Sequence, residues 1–237
     1  MESNLLNKPL ISSYSNICVG ARSSALSKAQ VWEVFEEIKK FYPMVLFSPH
    51  WVVTTGDKDL LTPLKTLDKT DFFTKEIDEM LLNGTIDIAV HSAKDLPDPL
   101  RKGLVVAAIT KGLDSSDSLV LRENETIDSL PRGALIGTSS ARREEAIKKL
   151  RSDFICVDIR GNIEQRLEML DQKKVDGIIL AECALIRLKL HWRNRISLSG
   201  ETAALQGQLA VVVREDNPIL REIFNSIDEN ALFRNRS

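Results

Sequence analysis

The chain has 237 residues, of which 43% are hydrophobic and 28% charged, enough for one large domain or two modest ones with real cores. Its net charge of −2 argues against general nucleic-acid binding, and no apolar run approaches the ~20 residues that span a bilayer. The first fifteen residues lack the basic start and apolar middle of a secretory signal. Cys18, Cys156 and Cys183 are odd in number and widely spaced. No pair has metal-ligand spacing and no disulfide framework suggests itself, so buried thiols, no metal and a reducing cytosol are expected.

In chain order, Ile17 to Val19 reads as a strand. Ala25 to Phe41 has helical periodicity, with Ser23 or Ser24 as its cap and Pro43 beyond its end. Trp51 to Thr54 reads as a strand, Phe72 to Leu82 as a helix closed by Asn83-Gly84, and Ile86 to Val90 as a third strand. This βαβαβ order implies a parallel sheet covered by helices. Leu104 to Ile109 leads out of the unit. Leu119 to Leu121, Leu135 to Gly137, Phe154 to Asp158 and Gly177 to Leu180 are strands of a second unit, with helices at Ala141 to Leu150, Ile163 to Leu170 and Cys183 to Leu190. Leu209 to Val213 is a late strand and Pro218 to Ile227 a terminal helix. The polar segment Lys111 to Ser118 suits a hinge.

The stretch Asp87 to Pro97 carries the most chemistry. Its apolar run fits a strand covered on both faces, and ligand sites in open α/β sheets lie beyond the carboxyl ends of such strands. Ser92, Lys94 and Asp95 are therefore expected at a cleft. Three strand-to-helix junctions add to it: Arg22-Ser23-Ser24, Gly137-Thr138-Ser139-Ser140-Ala141-Arg142-Arg143, and Arg160-Gly161-Asn162 with Arg166 one turn later. Helix N-termini offer free N–H donors, and arginine offers a fork matched to carboxylates or phosphates. Together they describe a cleft for an acidic small molecule. Asp95 is the odd member. It suits stabilising a developing positive charge or passing a proton to a leaving amine; equally, it could simply pair with Lys94 or an arginine.

The run Asp87 to Pro97 resembles the porphobilinogen deaminase (hydroxymethylbilane synthase) signature D-I-A-V-H-S-x-K-D-hydrophobic-P. The resemblance continues through Gly20 to Leu26, Thr54-Thr55-Gly56-Asp57, Gly137 to Arg143, Arg160-Gly161-Asn162 with Arg166, and Ile178 to Ala181 with Leu185 and Arg187. It implies a transferase of heme and tetrapyrrole biosynthesis that joins porphobilinogen head to tail into hydroxymethylbilane, releasing ammonia. The implied fold is α/β, with two domains like type II periplasmic binding proteins and a cleft between them. Residues 1–110 and 204–217 would form domain 1, and 111–203 domain 2. A C-terminal helix within 218–237 would be the remnant of a link to the family's third α+β domain, which is expected to be absent.

By the same resemblance Asp95 is the catalytic carboxylate, and Arg22, Ser24, Arg160 and Arg166 bind the incoming substrate. Ser92, Lys94, Thr138, Ser139, Ser140, Arg142, Arg143 and Arg187 would hold a dipyrromethane cofactor. A cytoplasmic monomer without nucleic-acid or membrane partners is expected. Three departures stand out. The family's G-G-K-G-L-F loop reads Asp68-Lys69-Thr70-Asp71-Phe72-Phe73, and only Asp114 and Asp117 match its E-R-x-D-P-R-D segment. The L-E-G-G-C loop whose cysteine carries the dipyrromethane has no counterpart, so that group is expected to be noncovalent or absent, with Cys183 as the one candidate for a relocated anchor. A binding protein for porphobilinogen or another polycarboxylate is the alternative function.

Overall fold

The computed structural model describes residues 16–59, 62 and 70–230, which form two five-stranded sheets. Ile17, Val19 and Ala21 are fully buried along β1 (Asn16–Arg22). Helix α1 (Ala25–Lys39) starts at Ser24, whose hydroxyl accepts the Ser27 N–H at 3.2 Å, the usual way to satisfy a free first-turn donor. Strand β2 (Leu46–Val52) lies parallel to β1, with Asn16 opposite Leu46. It begins well before the expected Trp51, and Pro49 within it hid the strand. Proline is tolerated there because β2 is an edge. Thr54 is not its end but the cap of a one-turn helix, α2 (Thr55–Lys58), closed by a capping box with Asp57.

The expected helix from Phe72 is split. Asp71–Phe73 makes a 3-10 turn, and α3 (Lys75–Leu82) starts after Thr74 and ends at Asn83 with Gly84 at φ +77°. Part of the atypical loop, Asp68 and Lys69, lies outside the described residues. Strand β3 (Ile88–Ser92) runs parallel to β1, and β4 (Leu104–Ile109) follows.

The chain then crosses to the second sheet, which holds β5 (Asp117–Val120), β6 (Leu135–Gly137), α4 (Ala141–Leu150), β7 (Ile155–Val157), α5 (Ile163–Asp171), β8 (Gly177–Ala181), α6 (Glu182–Arg187) and β9 (Arg195–Leu198). Strand β9 has no counterpart in the sequence pattern. Its four residues, three half-buried and Ser197 exposed, lie on an edge beside β5 and carry too short a pattern to read. Helix α6 stops before the expected Leu190, the chain turning at Lys189 with φ +56°.

After a second crossing, β10 (Leu209–Arg214) enters the first sheet antiparallel to both β3 and β4, giving the order β2-β1-β3-β10-β4. The second sheet runs β7-β6-β8-β5-β9. The two crossings lie side by side: Leu113 N–H donates to the Gly207 carbonyl at 3.2 Å, and Thr110 N–H to that of Leu209 at 2.9 Å. Terminal helix α7 (Pro218–Asn225) packs Leu220, Ile223 and Phe224 into the core that α1 shares with the first sheet. Ala89 faces the opposite core, with Ile77 and Leu81 of α3. Strand β3 is thus covered on both sides, as its unbroken apolar run predicts.

Candidate active site

The ends of β1 and β3 face those of β8 and the loop after β7 across a cavity of about 710 Å³. Parallel strands and their following helices aim backbone donors and side chains into this space. Arg22, Ser24, Ser92, Lys94, Asp95, Arg143, Arg160, Arg166 and Arg187 all line it. Asp95 is exposed, in a 3-10 turn (Ala93–Asp95) directly after β3. Lys94 Nζ donates to Gln206 Oε1 at 3.1 Å. Burial lowers its pKa, against the nearby Asp95 carboxylate. Ser92 Oγ accepts from Gln30 Nε2 at 2.8 Å, so the strand end is tied to α1.

The arginines divide by partner. Arg22 is paired with Asp57 through Nε at 3.1 Å and through Nη2, and lies 4.4 Å over the Phe73 ring. Arg187, only 4% exposed at its side chain, is forked onto Glu33. Arg143 reaches Asp117 through Nε at 3.1 Å and Nη2 at 2.6 Å. By contrast, Arg160 and Arg166 bond only backbone carbonyls among the described residues, those of Asp59 at 2.6 Å and Gly161 at 2.9 Å. Arg160 keeps Nε and Nη1 buried without a partner. Burial, with Arg143 and Arg160 nearby, pushes the Arg166 pKa down to about 10. It remains charged at neutral pH, in surroundings that an added carboxylate would relieve.

Other predicted site residues stand behind the lining. Thr138 is fully buried, and the Ser139 hydroxyl donates to the Ile159 carbonyl. Ser140 precedes α4 as its N-cap. Arg142 is outside the cavity lining, 2.7 Å from Asp117 and donating to the Glu201 carbonyl at 2.5 Å.

No local sequence pattern reveals the partners of Asp57, Glu33, Asp117 or Gln206. The Thr54 to Asp57 spacing signals a capping box, but nothing local reveals that Asp57 also holds Arg22. Asp117 is 3% exposed and takes Gln206 Nε2 at 2.9 Å as well as both arginines. Cys183 lines the cavity at 5% exposure, and burial pushes its thiol pKa up against the pull of Arg187 and Lys94. His91 is buried with Nε2 unpartnered, its pKa pushed down to about 4 by burial and then by Arg22. It is a neutral group behind the site.

The described residues contain no helix long and apolar enough to cross a membrane and no cluster of three potential metal ligands. In fold, the chain is similar to the probable amino-acid ABC transporter extracellular-binding protein ytmK from Bacillus subtilis, at TM-score 0.54 and 14% identity over 92% of this chain and 90% of that one. It is also similar to the Bordetella pertussis BvgS periplasmic VFT2 domain, at TM-score 0.52 and 11% identity over 94% and 89%. These likenesses establish an α/β fold of the type II periplasmic-binding-protein kind.

In sequence, the chain is 40% identical over 221 residues to porphobilinogen deaminase from Clostridioides difficile, covering 91% of this chain and 73% of that protein. It is 37% identical over 209 residues to a probable porphobilinogen deaminase from Chlamydia pneumoniae, with 88% of each covered. Residues 17–222 match the family model described as porphobilinogen deaminase, dipyromethane cofactor binding domain. With its strand-end motifs assembled around one arginine-lined cleft, the chain belongs to the porphobilinogen deaminase family.

Proposed function

We propose that this chain polymerises porphobilinogen head to tail into hydroxymethylbilane with release of ammonia, using Asp95 as its catalytic carboxylate. The observation that carries this reading is the pairing pattern in the cleft. Arg160 and Arg166 hydrogen-bond no carboxylate among the described residues, Arg160 has two orphaned nitrogens, and Asp95 stands exposed in the same cavity. Two unsatisfied guanidiniums suit the acetate and propionate arms of a pyrrole, each forming charge-assisted bonds. Arg22 and Ser24 complete that end of the site. A carboxylate among these cations stabilises the positive charge that develops as the aminomethyl group loses ammonia.

The donor set also fits dipyrromethane. Lys94, Ser92, Arg143 and Arg187 line the cavity and would hold its carboxylates, with Thr138, Ser139, Ser140 and Arg142 supporting the wall behind. When bound, that group supplies the pyrrole to which units are added. The three cysteines are free thiols, and a buried, protonated Cys183 is a poor nucleophile. This supports a dipyrromethane held by charge contacts rather than by a thioether to one of these cysteines. The paired crossings at 110–116 and 199–208 support residues 16–110 with 204–217 acting as one unit and 111–203 as the other. A reducing cytosol suits the free thiols.

Asp95→Ala tests the reading. Ammonia release should fall ~10²-fold or more while porphobilinogen still binds. Unchanged turnover in the variant would remove Asp95 from the chemistry. A parent protein that binds porphobilinogen yet makes no linear tetrapyrrole would be a binding protein.

A further inference from the structure

Glu33 has no counterpart in the motifs that carry the family resemblance, yet it makes a two-point carboxylate contact with an arginine that lines the cleft. It projects from α1, in the first unit, and meets Arg187 of α6, in the second. Arg187 Nε donates to Oε2 at 2.7 Å and Nη2 to Oε1 at 2.8 Å. Nη2 also donates to the Gly207 carbonyl at 2.8 Å, on the crossing segment. The Arg187 side chain is 4% exposed and that of Glu33 23%, so the charge of Arg187 is shielded from water while Glu33 keeps a view of it.

The other internal carboxylates have scaffold duties. Asp57 caps α2 through Thr54, and Asp117 accepts from Gln206. Glu33 hydrogen-bonds only Arg187 among the described residues. Nη1 of Arg187 is neither bonded to a described residue nor sealed among the buried orphan atoms. Because Arg187 lines the cavity, a ligand carboxylate can approach that nitrogen with Glu33 still in place on the opposite edge.

We infer that Glu33 is a built-in counter-anion that sets the affinity of the cleft for polycarboxylates. This rests on the reading of the cleft as a polycarboxylate site. A carboxylate docked at Nη1 would sit several ångströms from that of Glu33, where like charges repel appreciably at the effective dielectric of a half-buried site. The repulsion weakens every multiply charged occupant, and the most highly charged one most. In an enzyme whose product carries more carboxylates than its substrate, such a residue favours release.

Isothermal titration of the full chain with porphobilinogen and, separately, with tricarballylate tests this. Glu33→Gln removes the charge and keeps the shape. It should bind both probes about fivefold more tightly than the parent, with a steeper salt dependence, and its turnover should show a lower KM without a rise in kcat. Glu33→Asp, which keeps the charge, should bind like the parent. A purely structural ion pair would instead give a less stable Glu33→Gln protein that binds equally or more weakly, which overturns the inference. If the parent binds tricarballylate but not porphobilinogen, the substrate assignment fails and the tricarballylate comparison alone decides the role of Glu33. If the parent binds neither, both fail.

Discussion

Asp117 grips Arg143 at 2.6 and 3.1 Å while its second oxygen lies 2.7 Å from Arg142. One buried carboxylate at the start of β5 thereby fixes two adjacent arginines at the start of α4. Arg143 enters the cavity and Arg142 is turned to the Glu201 carbonyl. The pair of arginines that reads as one motif in the sequence is divided by this single anchor into two positions.

Removing the anchor should be costly. Asp117→Ala strands two guanidiniums and should lower stability by about 3 kcal/mol, read from urea unfolding. Burial pushes the Asp117 pKa up, but the Arg143 hydrogen bonds and charge outweigh it and hold the group below the ordinary range. A depressed folded pKa contributes stability that is present above the unfolded value of ~3.9 and is lost as pH falls through the folded value. The parent should therefore lose stability below about pH 4 more steeply than Asp117→Asn. Parallel acid profiles would contradict this.

Gly56 gives the Phe72–Phe73 pair its place. A Cβ there would overlap the Phe73 ring and come within 2.9 Å of Phe72 Cδ1. The two rings are edge to face at 5.2 Å, with Phe73 under Arg22. Gly56→Ala should cost about 1–3 kcal/mol of stability through overpacking. It should raise KM for porphobilinogen more than it lowers kcat, because Arg22 loses its platform. An unchanged KM with full stability would show that the rings move freely.

Asp78 behaves oppositely to Asp117. It is 3% exposed in α3, accepts the Thr74 hydroxyl at 3.0 Å, and has a pKa raised to about 6, mainly by burial. A raised carboxylate pKa favours the folded state when protonated, so stability falls as pH rises from ~4 towards 6. Asp78→Asn, which keeps the acceptor, should stabilise the protein by about 1 kcal/mol at pH 8, or several degrees in Tm. The gain should vanish at pH 4. An equal gain at both pH values would locate the effect elsewhere.

The proposed retention of dipyrromethane and substrate by charge contacts predicts salt sensitivity. Raising salt from ~0.1 to ~1 M shortens the Debye length from ~10 to ~3 Å, and porphobilinogen affinity should fall steeply. Replacing Cys18, Cys156 and Cys183 by Ala should leave binding and activity in place. A covalent mass gain of two pyrrole units that disappears in Cys183→Ala would instead identify that thiol as the anchor.

Local sequence carried the order of elements. The two-sided burial of Ile88 to Val90, the cap at Ser24 and the Asn83-Gly84 stop are short-range preferences of a few residues, and the structure contains each of them. The junction arginines were legible for the same reason, since helix N-termini and strand ends are local features. Local signal failed where a neighbour decided the outcome. Strand β2 holds Pro49 because it is an edge beside β1, and β9 exists because β5 offers it an open side. Pairing across the fold was beyond the sequence altogether: Arg22 with Asp57, Arg187 with Glu33, and both Arg142 and Arg143 with Asp117. A guanidinium at the end of a long side chain finds its partner through tertiary packing, not spacing along the chain. The residue types thus declared an anion site, while only the fold decided which cations are already neutralised and which remain for a ligand.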